Sequence, residues 1–305
     1  MLFRSKFFGC EDTFYFASGY TGSHIMVSAL AAEMDTVLID EAAHPSLAEG
    51  ARLAGCRITT FAHHSASDLK HQAQLAGRVL VIGDAVMPAT GHVAPVNEYV
   101  QVLEERTCAA SLLLDDAHGF GVLGERGRGL LEAAGLWERT NTTLIKGKVS
   151  IHVCGTLSKA LGGFGGLIPG TREFLARVRK SSHYFEAASA PPAAVAAGTS
   201  KALEIILQQP ALRMRLRENI QRIRNGLRGL GLKVPNGDTA QVGVVTGDTK
   251  HMQSLSEALR KRLIFVPHVV AYTGVPPEGI LRFAVFATHR PDQIDLLLSE
   301  LKALL

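Results

Sequence analysis

Residues 111–124 read SLLLDDAHGFGVLG, and the stretch changes character at one point. Ser111 to Leu114 form a short apolar run of strand length, and at Asp115 it passes into two acids, an alanine, an imidazole and then glycines. A buried strand that runs straight into acidic and histidine side chains marks the carboxyl end of a parallel strand, where an α/β sheet opens a ligand crevice. The run 150–154 repeats the pattern. It continues into Gly155-Thr156-Leu157-Ser158-Lys159-Ala160-Leu161-Gly162-Gly163, so a lysine stands among small residues at the same sheet edge.

Working outward, further apolar runs at 36–39, 79–83 and 166–169 alternate with helical spacing at 44–54 and 96–105. The alternation predicts an α/β fold whose sheet is mostly parallel, with helices on both faces. After Pro191-Pro192 the pattern changes to long amphipathic helices at 193–207 and 210–230. Strand-like runs at 241–245, 263–267 and 280–286 follow. The chain closes on a helix with Pro291 in its first turn and Ile294, Leu297, Leu298, Leu301 and Leu305 spaced for core packing. A large domain, 1–198, and a smaller α+β domain, 199–305, are expected.

The composition sets limits on function. With 305 residues, 47% hydrophobic and 20% charged, the chain can bury a large core. The net charge of +4 is dispersed, and its densest basic stretch, Arg213 to Arg228, has the spacing of one face of an amphipathic helix, so no nucleic-acid partner is expected. No apolar run reaches the ~20 residues of a membrane span, and the first residues lack the apolar core of a secretory signal. Cys10, Cys56, Cys108 and Cys154 stand far apart without CxxC spacing, which suits a reducing cytoplasm.

Two further motifs bear on function. Gly119 to Gly124 matches a GxGxxG dinucleotide fingerprint, but Asp-Asp-Ala-His separates these glycines from the strand they should follow at once, so they read as loop glycines. His63-His64 have no carboxylate or further histidine at a recurring ligand spacing, so hydrogen-bonded histidines and no metal are expected.

An acid at one strand end and a lysine at the next are the two groups pyridoxal phosphate requires: an amine for the Schiff base, and a carboxylate that keeps the ring nitrogen protonated. The segments DDAHGFGVLGERGRG (115–129) and GTLSKALGGFGG (155–166) closely resemble the two signature segments of the α-oxoamine synthase family. FASGYTGSHI (16–25), DEAAHPSLAEGARLAG (40–55) and VPPEGILRFAVFATHRPDQID (275–295) are similar to further segments of that family, in the same order. The resemblance implies a fold-type I pyridoxal-phosphate transferase. It makes Lys159 the Schiff-base lysine and pairs Asp115 with the pyridine nitrogen. His118 is placed on the ring hydroxyl, and His44 and Ala117 on the two ring faces. Thr156 and the turn at Gly19 and Tyr20 fall at the phosphate, and Arg282 at the substrate carboxylate.

The same resemblance implies that an amino acid and an acyl-CoA condense with release of CoA, in a homodimer. L-alanine with pimeloyl-CoA or its carrier-protein equivalent, the biotin-pathway pair, is expected, with glycine and acetyl-CoA as the alternative. An aminotransferase and a non-catalytic partner subunit or decayed fragment remain alternatives. The family pattern has a glycine-rich opening segment with no counterpart before Met1, so the chain reads as a truncated gene product or fragment. Asp84 replaces the family's glutamate and Pro88 its serine. Where an aromatic and Ser/Thr-rich stretch is expected, this chain has Glu186-Ala187-Ala188-Ser189, of which only Ser189 fits.

Overall fold

The computed structural model describes residues 2–142, 149–184 and 188–305; Glu186 and Ala187 lie outside the described residues. The chain forms two compact units, one of Met1–Val86 with Ala94–Gln208, the other of Met87–Val93 with Gln209–Leu305. The division falls between Gln208 and Gln209, not at the expected 198/199. The helix Ala193–Gln208 belongs whole to the first unit, where the Thr199 hydroxyl accepts the Phe164 N–H at 3.0 Å. The second unit also takes in the short segment Met87–Val93, which sequence patterning had no means of separating from its surroundings.

The first unit is built on a seven-stranded sheet. Its strands are β1 (Asp12–Phe16), β2 (Thr36–Asp40), β3 (Arg57–Phe61), β4 (Val79–Asp84), β5 (Ala110–Asp115), β6 (Val149–Thr156) and β7 (Gly166–Gly170), in the order β1-β7-β6-β5-β4-β2-β3. Neighbours from β6 to β3 are parallel, whereas β7 pairs antiparallel with both β6 and β1. Every residue of β2, β4 and β5 is buried, the continuous apolar signature of strands covered on both faces. Val37, Ile39, Leu80, Ile82 and Leu113 share a core with Ile25, Met26, Leu47, Phe174 and Leu175, contributed by helices Gly22–Leu30, Pro45–Ala51 and Arg172–Ser181. Each such buried side chain contributes about 1.5–3 kcal/mol.

The course of the chain places the site. From β2 it moves outward to β3, then returns to β4 on the other side of β2, so the order in which parallel strands are added reverses between β2 and β4. Crevices for ligands open at the carboxyl ends of strands flanking such a reversal. Here β2, β4 and β5 end in Asp40, Asp84 and Asp115.

One core residue works against stability. His152 on β6 is 1% exposed and stacks on Phe174 with ring centroids 5.1 Å apart, yet neither ring nitrogen has a hydrogen-bond partner among the described residues. Burial drives its pKa down to about 3, so the ring is neutral and carries an unsatisfied N–H. An orphaned buried donor costs about 1–3 kcal/mol, so His152→Leu is expected to stabilise by about 1 kcal/mol in urea unfolding at pH 7.5. The folded pKa lies below the unfolded value of ~6.5. Wild-type stability is therefore lost as pH falls from there, and the gap between the two proteins should widen with acidification. A gap that stays constant would mean the imidazole is not buried as described.

In the second unit, β8 (Gln241–Val244), β9 (His268–Val269) and β10 (Ile280–Ala284) form an antiparallel sheet in the order β8-β10-β9, alongside helices Pro210–Gly229, Thr249–Lys261 and Pro291–Leu304. The expected strand at 263–267 is absent. Leu263 has a φ of +63° and is 97% exposed in the turn that ends a helix, Pro267 lacks an N–H, and pairing begins only at His268. In the closing helix Ile294 and Leu301 are buried, Leu297 and Leu298 half-buried, and Leu305 exposed, so Leu305 is not a core residue. Nor is the basic helix solvated throughout. Arg224 is fully buried, donating to Pro235 O at 2.6 Å and Thr239 Oγ1 at 2.6 Å, and burial lowers its pKa to about 10.

Candidate active site

Asp84 and Asp115 are register partners on β4 and β5, and Asp115 is in turn the partner of Cys154 on β6, two residues before the strand ends at Thr156. Their backbones are therefore fixed by the sheet ladder. Asp115 Oδ1 accepts the Ala117 N–H at 2.9 Å, and among the described residues Oδ2 accepts none. Burial raises the Asp115 pKa, against which the positive charge of Lys159 and the Ala117 N–H act. Burial also raises the Asp84 pKa well above the carboxylate range, reinforced by the charge of Asp115. Two buried carboxylates side by side cannot both ionise cheaply, and the one nearer compensation keeps the charge.

Asp84 has a second task. Its Oδ2 accepts the His44 N–H at 2.8 Å, fixing the imidazole segment at the start of helix Pro45–Ala51. His44 Nδ1 is 2.7 Å from Ser46 Oγ and accepts the Ser46 N–H at 3.2 Å, so His44 caps this helix. Burial lowers the His44 pKa, helped by the charge of Lys159. The imidazole is a neutral, half-buried ring, and the Tyr20 ring stands edge-on to it at 6.0 Å.

Lys159 is exposed on a tight loop beyond β6. Leu157 N–H donates to Gly165 O at 2.9 Å, Gly163 N–H to Leu157 O at 2.7 Å and Gly162 N–H to Lys159 O at 3.0 Å, with Gly162 at a φ of +63°. The Thr156 hydroxyl donates to Gly165 O at 2.8 Å and accepts the Ser158 N–H at 3.1 Å, and Ser158 Oγ accepts the Gly165 N–H at 3.0 Å. The loop that presents the amine is thus held by its own backbone and by two hydroxyls. Gly19 lies directly on Thr156; a Cβ there would come within 2.7 Å of Thr156 Cβ. Gly19–Thr21 forms a turn opening helix Gly22–Leu30, in which Ser18 Oγ accepts the Tyr20 N–H, Ser18 O the Thr21 N–H and Gly19 O the Gly22 N–H; a helix N-terminus favours an anion through its dipole.

His118 is half-buried three residues beyond the end of β5. Behind it Asp116 is fully buried, its pKa pushed up to about 7, and its Oδ2 accepts the Leu130 N–H at 2.6 Å. That bond closes a loop in which Gly121, Gly124, Gly127 and Gly129 all have positive φ. The GxGxxG glycines are loop glycines and open no helix. Arg282 and Pro88 belong to the second unit, where Arg282 Nε donates to Pro88 O at 3.2 Å.

Several contributors were not anticipated. Ser46 and Ser158 are ordinary in sequence, and the bond from His44 to Asp84 spans 40 residues. Asp40 at the end of β2 meets His63 across 23 residues, the carboxylate that local spacing around His63-His64 could not supply.

The sequence pattern of the aminotransferase class I and II family matches residues 5–301. The chain belongs to that family and, within it, to the α-oxoamine synthase type. It is 33% identical over 295 residues to 8-amino-7-oxononanoate synthase of Alkalilimnicola ehrlichii, covering 96% of this chain and 73% of that protein. With the enzyme of the same name from Pseudomonas entomophila the identity is 34%, over 94% of this chain and 71% of the other. Among solved structures, serine palmitoyltransferase from S. paucimobilis with a bound PLP–myriocin aldimine superposes with a TM-score of 0.85. The identity there is 27%, covering 99% of this chain and 74% of that one. The mostly parallel sheet with helices on both faces is thus the expected transferase fold.

Proposed function

We propose that this protein is a pyridoxal-phosphate-dependent acyltransferase that condenses an amino acid with an acyl-CoA, of the 8-amino-7-oxononanoate synthase type. The observation that carries it is Asp115: a buried carboxylate that accepts the Ala117 N–H on one oxygen and, among the described residues, no hydrogen bond on the other, next to a strand end that presents Lys159. The residues fit the cofactor. An amine, a buried acid, a neutral ring and a glycine turn at a helix N-terminus all lie at one sheet edge.

Bound there, pyridoxal phosphate supplies an electron sink for a carbanion at the amino acid's α-carbon. Asp115 would hold a proton at the ring nitrogen, which maintains that sink. His44 and Ala117 would hold the two faces of the ring, and His118 its hydroxyl. The Gly19–Thr21 turn, with Tyr20 and Thr156, would hold the phosphate. Lys159 is the amine that would hold the cofactor, and it would move the proton at the substrate α-carbon. Arg282, on the second unit, is the residue that the family resemblance assigns to the substrate carboxylate, which a planar guanidinium suits. The protein acts as a homodimer. Four free cysteines suit a reducing cytoplasm, and among the described residues no helix is long and apolar enough to cross a membrane.

The test is a thiol-release assay with added pyridoxal phosphate. It pairs L-alanine with pimeloyl-CoA, glycine with acetyl-CoA, and L-serine with palmitoyl-CoA. Release with the first pair is expected, together with the elution volume of a dimer. Amino transfer to a keto acid without thiol release would replace the acyltransferase with an aminotransferase. No turnover with any pair would leave a non-catalytic partner subunit.

A further inference from the structure

A second constellation lies at the outer end of the same sheet, on groups the proposed reaction does not use. Asp40 and Phe61 are register partners at the ends of β2 and β3, so the segment His63-His64 emerges beside the Asp40 carboxylate. Asp40 is 5% exposed, and its two oxygens lie 2.9 and 3.1 Å from His63 Nδ1. The His64 N–H donates to Asp40 Oδ2 at 3.1 Å, and the His63 N–H to Glu41 Oε1 at 3.0 Å. His64 adopts a φ of +53°, in the left-handed region where Asn, Asp and His are the enriched residues after glycine. The turn so formed stacks its ring on that of His63, with centroids 3.8 Å apart. One potential ligand atom from each of Asp40, His63 and His64 lies within 4.8 Å of the other two.

We propose that Asp40, His63 and His64 form a binding site for a borderline divalent cation of the zinc class. Two imidazoles and one carboxylate are the donor set such ions take, and both histidines are only half-buried, which leaves room for water in the remaining coordination positions. The stacked rings bear on this directly. Two imidazolium ions at that separation repel each other, whereas two neutral imidazoles share one cation. With metal–ligand bonds of about 2.0–2.2 Å, tetrahedral zinc ligands stand roughly 3.4 Å apart; Asp40 Oδ1 and His63 Nδ1, at 2.9 Å, must open slightly, and the three atoms together already lie within 4.8 Å. Rotation of the two half-exposed rings makes this adjustment, while the buried carboxylate stays fixed.

The experiment measures zinc bound to the full-length protein by equilibrium dialysis, together with the thermal midpoint with and without zinc chloride. It compares wild type with His64→Asn and His63→Gln. Asparagine is at ease at positive φ, so His64→Asn should fold at least as well as wild type without metal. Wild type should bind one zinc equivalent more than either variant and melt higher when zinc is added. Loss of groups that merely support a ligand costs 10–100-fold in metal affinity, so loss of a ligand should weaken this site by about 100-fold or more. Cobalt bound to wild type should show visible bands that His64→Asn lacks. Equal stoichiometry and an equal zinc-induced shift in wild type and His64→Asn would overturn the proposal.

Discussion

Lys159→Ala is expected to lower thiol release by at least ~10³-fold while leaving the fold intact. General acid–base action alone is worth about 10²–10⁴-fold, and this lysine is assigned covalent attachment as well. The fold should survive because the side chain is exposed and the loop bonds that present it, from Leu157, Gly162 and Gly163, are all between backbone groups. Lys159→Arg separates two roles. Arginine retains the positive charge that acts on Asp115 and His44, but it cannot serve as the nucleophilic amine. Both variants should lose the long-wavelength absorbance of a lysine-bound cofactor, and an added small primary amine should restore part of the turnover to Lys159→Ala only. If Lys159→Arg kept more than a tenth of wild-type release, Lys159 would be an electrostatic partner and no more.

The residues differ in how far their position can be read locally. β4 and β5 are continuous apolar runs ending in a charged residue, which is why the parallel core and the candidates Asp115 and Lys159 stand out. β3, by contrast, reads RITTF and is mostly exposed at the sheet edge, so it lacks the apolar run that marks its neighbours. β1 belongs to the sheet only through antiparallel pairing with β7, a long-range partnership that patterning does not record. The helix carrying Arg224 was read by its charge, but the guanidinium is buried because carbonyls of Pro235 and Thr239 come round to receive it. Asp40 with His63, and Asp84 with His44, are invisible for a related reason. Each pair is assembled by parallel strand order, not by spacing along the chain.

Asp115→Asn should cut turnover by roughly 10²-fold or more and, without cofactor, make the protein more stable at pH 8. The amide still accepts the Ala117 N–H, so geometry is retained. What it cannot do is hold a proton on a ring nitrogen through an opposite charge. The sign of the stability effect follows from burial. Because the folded pKa is raised above the unfolded value of ~3.9, the carboxyl favours the fold at low pH, and that contribution is lost as pH rises through the folded pKa. At pH 8 the ionised, buried carboxylate is a net cost that the amide avoids. Removing its charge also lets the neighbouring Asp84 ionise more readily, since that charge is one of the causes raising the Asp84 pKa. Urea midpoints without cofactor should therefore favour Asp115→Asn at pH 8 and converge near pH 4. Saturating pyridoxal phosphate should reverse the order, because a ligand stabilises in proportion to how much better it binds the folded state. A variant less stable than wild type at pH 8 without cofactor would identify Asp115 as a structural partner of Lys159. The opposite result would identify a charge kept at the expense of the fold for what it does to a bound ring.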